Sequence, residues 1–308
     1  MLRRLARGFL VALGAAFLLW VGLGNPHRAR PLHRSEWVTV DGLRLRVLRA
    51  GHGDTTLVFL HGFGESLLAW RALLDRFARH YRVLAVDLPG FGLSDKPAGP
   101  YDYPTYQRWL SQLLREQTTG PVVVIGHSMG GELAAGLALA HPDRVVAAVL
   151  IAPAGAGISP LLSDSSGIAS PATQWVASAL SYVLPAHDTT WLQEPPADLS
   201  YQPSADSAAA NAASRVLEQF DFTAIGVRFQ ELRQPVLLIW GRQDPTIPFE
   251  IGDRIAALLP CRQFVPLLAL HRPHQSVPDT VASAMEAFLR RPGCPGDSTE
   301  SRVPSAGR

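Results

Sequence analysis

Short runs of apolar, often β-branched residues recur along the chain and predict buried β-strands. They cover residues 56–60, 82–86, 121–125, 145–151, 235–240 and about 263–268. Most of the segments between these runs carry apolar residues at helical spacing, at 67–78, 106–117, 131–140, about 251–259 and 278–289. Strands that alternate with helices in this way predict an α/β fold with a doubly wound, mostly parallel sheet.

An antiparallel hairpin is predicted before the first buried run. Residues 37–40 and 43–47 alternate between apolar and polar positions, and Asp41 and Gly42 separate them. An Asp-Gly pair between two alternating runs is typical of a tight hairpin turn. We therefore expect this hairpin at one edge of the sheet.

The strand and helix pattern is interrupted between about residues 155 and 230. This stretch has no strand-like run and contains mainly Ser, Ala and Pro with scattered aromatic residues. It predicts a helical cap inserted over the top edge of the sheet, with a loose segment at about 195–213. The cap is poor in charge and contains many Ala, Leu and aromatic residues, which favours an apolar pocket for an acyl or alkyl group.

The N-terminus carries a hydrophobic segment. Arg3, Arg4 and Arg7 precede an uncharged stretch at residues 8–24, which as a helix would span roughly 26 Å. We expect residues 1–24 to act as an uncleaved membrane anchor, with a cleaved export signal or a buried or interfacial helix as alternatives. Arginines on both sides of the stretch give only a weak preference for a catalytic domain outside the membrane.

The remaining segments complete the predicted domain organisation. Residues 25–35 are expected to be a linker, 36–290 the α/β domain with its cap, and 291–308 a disordered tail rich in Pro, Gly and Ser. A protein of 308 residues with 47% hydrophobic residues is long enough to bury a large core.

Composition excludes several function classes. The formal net charge of +2 and the absence of a basic stripe argue against nucleic-acid binding. The two cysteines, Cys261 and Cys294, are too few for a disulfide-dense framework or a cysteine-based zinc site, and they leave the compartment open. We predict no cofactor and no bound metal.

The pattern G-x-S-x-G occurs at Gly126–Gly130, between the run at 121–125 and the helix at 131–140. A serine on a tight strand-to-helix turn projects its hydroxyl beyond the sheet, and the glycines allow strand and helix to approach closely. We therefore predict Ser128 as a nucleophile. The alternative is a glycine-rich loop that only connects the two elements.

A serine nucleophile needs a base and an orienting acid. In a doubly wound sheet these should follow the carboxyl ends of strands. Asp244 follows the run at 235–240 and is the predicted acid, with a simple turn aspartate as the alternative. Two histidines, His271 and His274, compete for the base after the last strand.

Taken together, these motifs resemble the α/β-hydrolase fold superfamily of esterase-like and lipase-like proteins, over about residues 36–290. The matching segments are the His-Gly loop at 61–64, the Asp-x-Pro-Gly-x-Gly-x-Ser loop at 87–94, the serine turn, the acid turn at 241–244 and the closing segment at 270–278. The prolines of the closing segment match His271 to the family's base. Leu270 and Ser276 depart from the usual glycine and glutamate, and His274 is expected to line the pocket or to face solvent.

For acyl chemistry the resemblance implies an oxyanion hole built from two backbone amides, those of Phe63 and Met129. His61 and His127 are expected to be structural, and Asp87 and Asp95 to fix loops.

The predicted function is a serine hydrolase that cleaves a carboxylic ester through an acyl-enzyme, with a lipid-like or otherwise apolar acyl ester as the expected substrate. Serine at position 128 argues against relatives that use a carboxylate nucleophile, such as haloalkane dehalogenases. Relatives with the same triad also cleave thioesters, lactones, carbon–carbon bonds of diketones or peptidyl-proline bonds, or transfer acyl groups. A non-catalytic ligand-binding receptor of the same fold is the alternative from another class.

Overall fold

A computed structural model of the protein describes residues 35–156 and 207–294. The predicted anchor, the linker up to residue 34, most of the predicted cap and the tail from residue 295 lie outside the described residues. Within the two described ranges, no helix is both long enough and apolar enough to cross a membrane.

A single mixed sheet of eight strands organises the described residues. The strands are β1 (Ser35–Val40), β2 (Leu43–Ala50), β3 (Thr56–Leu60), β4 (Arg82–Val86), β5 (Val122–His127), β6 (Val145–Ile151), β7 (Val236–Gly241) and β8 (Arg262–Leu267). Their spatial order is β1-β2-β4-β3-β5-β6-β7-β8. The pairs β1–β2 and β2–β4 are antiparallel and the others are parallel. This confirms the predicted doubly wound, mostly parallel α/β fold.

Helices lie between the parallel strands and after the last one. They are α1 (Arg71–Phe77), α2 (Tyr103–Gln117), α3 (Met129–Ala140), α4 (Ser207–Gln219), α5 (Phe249–Leu258), α6 (Pro273–Ser276) and α7 (Pro278–Arg290). Two short 3₁₀ turns, Leu67–Trp70 and Gly226–Glu231, precede α1 and β7.

The core lies on both faces of the sheet because successive residues of a strand point to opposite sides. In β3, Val58 and Leu60 pack with one cluster of buried residues, whereas Leu57 and Phe59 pack with the other. All residues of β3 and β5 are buried. This two-sided burial explains why the central strands are continuous apolar runs rather than alternating ones.

The edge hairpin is also confirmed. Asp41 and Gly42 join β1 to β2 with φ angles of 50° and 77°. Two successive residues with positive φ match the twist of the flanking strands, as the Asp-Gly pair indicates.

Some elements differ from the predicted ones. Helix α2 begins three residues earlier than expected, because the side chain of Asp102 caps it by accepting a bond of 2.9 Å from the Thr105 amide. Helix α4 includes residues 207–213, the last part of the segment that we expected to be loose, so that part of the prediction is wrong. Its alanines are strong helix formers, and Ala212 and Val216 bury one side of the helix in the core.

The two cysteines are paired. A disulfide joins Cys261, just before β8, to Cys294, beyond α7, across a sequence separation of 33 residues. It fixes residues 291–294, the start of the predicted tail, to the sheet.

Candidate active site

Ser128 lies between β5 and α3, at the carboxyl edge of the sheet. Its backbone angles are φ 53° and ψ −119°, a conformation that L-residues seldom adopt. Its amide donates a bond of 3.0 Å to the carbonyl of Ile151, and its own carbonyl accepts from the amides of Gly131 and Glu132. The surrounding backbone thus holds the strained serine in place, as expected of a nucleophile at such a turn.

The glycines of this turn are required by close backbone contacts. A Cβ at Gly126 would lie 2.1 Å from the carbonyl oxygen of Gly130, and a Cβ at Gly130 would lie 2.3 Å from that of Leu60. No side chain fits at either position. The glycines therefore let α3 start directly against the ends of β3 and β5.

The structure brings Asp244 and His271 together, as predicted. Asp244 follows β7, His271 follows β8, and the Nδ1 of His271 donates to the Oδ2 of Asp244 at 2.7 Å. The other carboxylate oxygen accepts bonds of 2.8 and 2.9 Å from the amides of Thr246 and Ile247. The backbone amides that follow Asp244 therefore fix its carboxylate, which fixes the imidazole of His271.

The Nδ1 bond to Asp244 leaves the Nε2 of His271 as the unprotonated nitrogen of the neutral ring. This atom is buried and has no hydrogen-bond partner among the described residues. Burial lowers the pKa of His271 below its ordinary value of 6.5, against the opposing effect of Asp244. The ring is thus neutral at neutral pH, the state that a general base requires.

The two amides predicted for the oxyanion hole follow the ends of neighbouring strands, Phe63 after β3 and Met129 after β5. Met129 is the first residue of α3, so the helix itself supplies no acceptor for its N–H. Phe63 follows Gly62, whose amide donates to the Oε2 of Glu65 at 2.8 Å. Neither the Phe63 nor the Met129 amide donates to a backbone or side-chain acceptor in the described ranges.

His61 and Asp87 are structural, as expected. The Nε2 of His61 accepts a bond of 3.0 Å from the Leu88 amide, which ties the His-Gly loop to the neighbouring loop. Asp87 accepts from the amides of Leu67 and Leu93 and lies 2.9 Å from the guanidinium of Arg46.

Asp95 fixes the same neighbouring loop at its other end. Its carboxylate accepts a bond of 2.8 Å from the Arg44 amide in β2. The loop that runs from residue 87 to 95 is therefore held by a carboxylate at each end, as predicted.

One feature of the site was not predicted from the sequence. Glu65 and His127 form a buried pair, with 3.1 Å between Oε2 and Nδ1. The Nε2 of His127 donates to the carbonyl of His271 at 2.9 Å, so the residue preceding Ser128 contacts the loop of the predicted base. The signal in the sequence was an acidic residue in an otherwise apolar loop, three positions after Gly62.

His274 is fully buried, so the expectation that it faces solvent is wrong. Its ring packs against those of Trp70 and His127, each at a centroid distance of 4.5 Å. Burial lowers the pKa of His274 well below its ordinary value. It is therefore a neutral core residue behind the predicted base.

Glu65, His127 and His274 together form a set that could hold a metal ion, with their ligand atoms within 4.8 Å of one another. However, both nitrogens of His127 and both oxygens of Glu65 already have protein partners. These bonds account for Glu65 and His127, whereas the Nδ1 of His274 is buried without a hydrogen-bond partner among the described residues.

A second buried carboxyl lies near the site. Glu132, on the first turn of α3, accepts from the Ile225 amide at 3.3 Å, and burial raises the pKa of its carboxyl well above the ordinary value. Glu132 also lies beside Gly155, where an added Cβ would be 3.2 Å from its side chain. The Gly155 amide in turn donates to the carbonyl of Phe222 at 2.9 Å, so both ends of the inserted segment lie near Glu132.

Comparisons with known proteins agree with this architecture. The 2-hydroxy-6-oxononadienedioate/2-hydroxy-6-oxononatrienedioate hydrolase of Cupriavidus pinatubonensis is 31% identical over an alignment 255 residues long, which covers 74% of this chain and 86% of that protein. The dihydrolipoyllysine-residue acetyltransferase component of the acetoin cleaving system of Cupriavidus necator is 38% identical over 122 residues, 40% of this chain. This chain spans only about a third, 33%, of that relative's length.

A solved structure covers more of the chain. The crystal structure of a membrane phospholipase A, described as a novel bacterial virulence factor, superposes with a TM-score of 0.69 at 25% sequence identity. The superposition covers 94% of this chain and 98% of that one.

The family model of the α/β hydrolase fold matches residues 55–274, from β3 to the loop that carries His271 and His274. These residues include every strand of the parallel part of the sheet and all three residues of the predicted triad. The chain therefore belongs to the α/β hydrolase fold family and is a hydrolase.

Proposed function

We propose that the protein is a serine hydrolase that cleaves carboxylic esters of lipid-like, apolar substrates. The observation that carries this proposal is the paired His271 and Asp244, with a free and unprotonated Nε2 at the edge of the sheet where Ser128 is held in a strained turn. Nucleophile, base and acid follow each other along the chain in the order that this fold uses.

In the proposed reaction, the Nε2 of His271 takes the proton of the Ser128 hydroxyl as its oxygen attacks the ester carbonyl. Asp244 holds the ring in the required tautomer and stabilises the imidazolium that forms. The protonated ring then gives its proton to the leaving alcohol. Water enters, is deprotonated by the same nitrogen and attacks the acyl carbonyl. The acid leaves as its bond to the Ser128 oxygen breaks, and the protonated ring returns its proton to that oxygen.

The negative charge that develops on the carbonyl oxygen needs two fixed donors. We assign the amides of Phe63 and Met129 to this role, since no acceptor in the described ranges occupies them. Met129 adds the favourable end of the α3 dipole to the developing charge.

The substrate class rests on two supports. The predicted cap is rich in Ala, Leu and aromatic residues and poor in charge. In addition, the chain is similar over almost its whole length to a membrane phospholipase A. Together they favour an acyl ester of a membrane lipid.

The first prediction tests this function directly. The full-length protein in detergent should hydrolyse p-nitrophenyl esters with a kcat/KM that rises with acyl chain length, because each buried methylene contributes about 0.8 kcal/mol. It should also react with a fluorophosphonate probe, and Ser128→Ala should abolish both activities.

The controls separate the enzyme from the receptor alternative. Folded wild-type protein that neither reacts with the probe nor hydrolyses an ester of any chain length would contradict the proposal. Release of fatty acid from phospholipid vesicles by wild type but not by Ser128→Ala would extend the proposal to lipids.

Hydrolysis of a carbon–carbon bond is a second candidate, favoured by the similarity to the hydrolase of Cupriavidus pinatubonensis. It uses the same triad on a vinylogous diketone in place of an ester. The assay follows the loss of the dienol absorbance of a 2-hydroxy-6-oxo-dienoate. A kcat/KM above that for the best ester would favour this candidate over the first.

We further propose that residues 8–24 anchor the protein in a membrane with its hydrolase domain on the oxidising side. The disulfide between Cys261 and Cys294 supports this placement, because such bonds persist mainly outside the reducing cytosol. Membrane fractionation of the full chain tests the anchor. Recovery of the intact chain in the soluble fraction would contradict it.

A further inference from the structure

The three loops that carry the proposed catalytic groups meet at one buried carboxylate. The Oε2 of Glu65 accepts from the Gly62 amide at 2.8 Å, directly before the proposed oxyanion donor Phe63. The same oxygen lies 3.1 Å from the Nδ1 of His127, the residue before Ser128. The Nε2 of His127 then reaches the carbonyl of His271, 144 positions along the chain.

The hydrogen-bond inventory assigns the charge of this cluster. A carbonyl oxygen only accepts, so the Nε2 of His127 carries a proton. An ionised carboxylate also only accepts, so the Nδ1 that faces Glu65 carries a proton too. His127 is therefore an imidazolium, paired with a carboxylate inside the protein.

Partners other than His127 also support the ionised state of Glu65, namely the Gly62 amide, Gln275 and Arg272. Burial alone would raise the pKa of this carboxyl, but His127 and Arg272 together hold it well below its usual value. The Oε1 atom accepts from the side-chain amide of Gln275 at 3.0 Å and lies 3.3 Å from the Nε of Arg272. Both oxygens of the carboxylate therefore have partners.

Gly62 provides an independent observation on the same contact. A Cβ at this position would lie 2.8 Å from the Nδ1 of His127 and 2.9 Å from the Oε2 of Glu65. The loop can therefore place its amide on the pair only because residue 62 has no side chain.

We propose that Glu65 and His127 are positioning residues for the reaction, a buried ion pair that holds the oxyanion loop, the nucleophile turn and the base loop in register. The proposal rests on the function proposed above. Neither residue touches the reacting atoms: each acts through Phe63, Ser128 or His271.

Charge gives the pair a second effect on the base. The ring of His127 lies 4.7 Å from that of His271, and its positive charge lowers the pKa of His271, whereas Glu65 and Asp244 raise it. His61, His274 and Arg272 also interact electrostatically with the pair. Removal of the imidazolium should therefore raise the pKa of His271.

The second prediction tests the pair in the full-length protein. Glu65→Gln and His127→Gln should each lower kcat for a p-nitrophenyl ester by about 10- to 100-fold with KM changed less than about twofold, since small misplacements cost that much in rate. In His127→Gln the acidic limb of kcat/KM should also move to higher pH. The double variant should be no worse than the worse single one, because it leaves no unpaired buried charge.

Glu132→Gln is the matched control. Glu132 is a buried carboxyl on the first turn after Ser128, and its oxygen faces Ile225 rather than the three loops. We expect this variant to retain wild-type kcat, KM and pH profile within about twofold. Thermal unfolding verifies that each variant compared is folded.

Two measurements on wild-type protein keep the test independent of folding of the variants. Nitrogen NMR of histidine-labelled protein should show both ring nitrogens of His127 protonated at pH 7. A neutral His127 ring, or one equivalent of zinc that survives dialysis, would overturn the ion pair.

The outcomes distinguish this inference from the proposed function. If wild type reacts with fluorophosphonate but folded Glu65→Gln and His127→Gln match its kcat and pH profile, the positioning role is wrong and the function stands. Losses that multiply in the double variant would likewise refute the coupling. If wild type shows no serine reactivity, the proposed function fails, and the NMR result alone then decides whether the pair exists.

Discussion

At the scale of single residues, carboxylates with several partners each hold the candidate site. Asp244 accepts hydrogen bonds from two backbone amides and one imidazole, and Glu65 joins three loops. Asp87 accepts hydrogen bonds from the amides of Leu67 and Leu93 and so fixes the loop at residues 87–95. Buried acceptors with several donors stabilise one arrangement of the loops, since the loss of any donor leaves a buried polar atom less well satisfied and costs free energy.

The pH dependence of hydrolysis is the prediction at this scale. A general base acts only when it is unprotonated, and burial lowers the pKa of His271 below 6.5. Ester hydrolysis should therefore rise with pH through a single group with a pKa below 6.5, and at pH 6.5 kcat/KM should exceed half of its plateau. A profile of kcat/KM from pH 4.5 to 8.5 measures this, and a midpoint above 7 would contradict it.

At the scale of elements, the site depends on how closely α3 can start against the central strands. The backbone of the first turn of this helix packs directly against the backbone at the end of β3, because residues 126 and 130 lack side chains. The same closeness places the amides at the start of α3 next to Ser128. Packing of one helix against the sheet and presentation of the nucleophile are therefore one structural feature.

Gly130→Ala tests this contact. The new Cβ would meet the Leu60 carbonyl at 2.3 Å, and backbone cannot move aside as a flexible side chain can. We expect a loss of about 1–3 kcal/mol in the free energy of unfolding, measured by urea denaturation, together with loss of fluorophosphonate labelling. Gly293→Ala is the matched control: its Cβ would have 3.9 Å to the Arg291 carbonyl, so a similar loss there would contradict the explanation.

At the scale of the whole molecule, the disulfide between Cys261 and Cys294 joins the C-terminal segment to the edge of the sheet. This bond connects the entry to the edge strand β8 with the residues after α7. Helix α7 covers one face of the sheet with Val281, Met285 and Phe288. The disulfide therefore holds α7 against the core next to β8, the edge strand that is followed by the His271 loop.

Replacement of both cysteines by serine should lower stability. Closing a loop over a separation of 33 residues contributes about 3–4 kcal/mol in the chain-entropy model. We expect a loss of that size in denaturant unfolding without reductant, and little difference between the two proteins in excess dithiothreitol. Equal stability of the two proteins without reductant would contradict a structural role for the bond.

How much of this protein could be predicted from its sequence depends on the range of the interactions. The buried strands, the edge hairpin and the serine turn were predicted closely, because apolar runs, an Asp-Gly pair and glycine spacing are properties of neighbouring residues. The position of Asp244 at this edge of the sheet was also predicted, since it closely follows a strand whose end is set by its apolar run. Its role as the catalytic acid stays a prediction. Residues 207–213 of helix α4 were predicted to be loose, because the buried side of this part of the helix is formed by alanines and not by large apolar residues.

Only the tertiary structure decided which groups meet across the loops. His271 and His274 are three positions apart and the strand pattern could not separate them, but only His271 reaches Asp244 while His274 is buried against Trp70. The ion pair of Glu65 with His127 joins positions 62 apart. Such contacts depend on how strands order themselves in the sheet, and no local pattern of residues encodes that order.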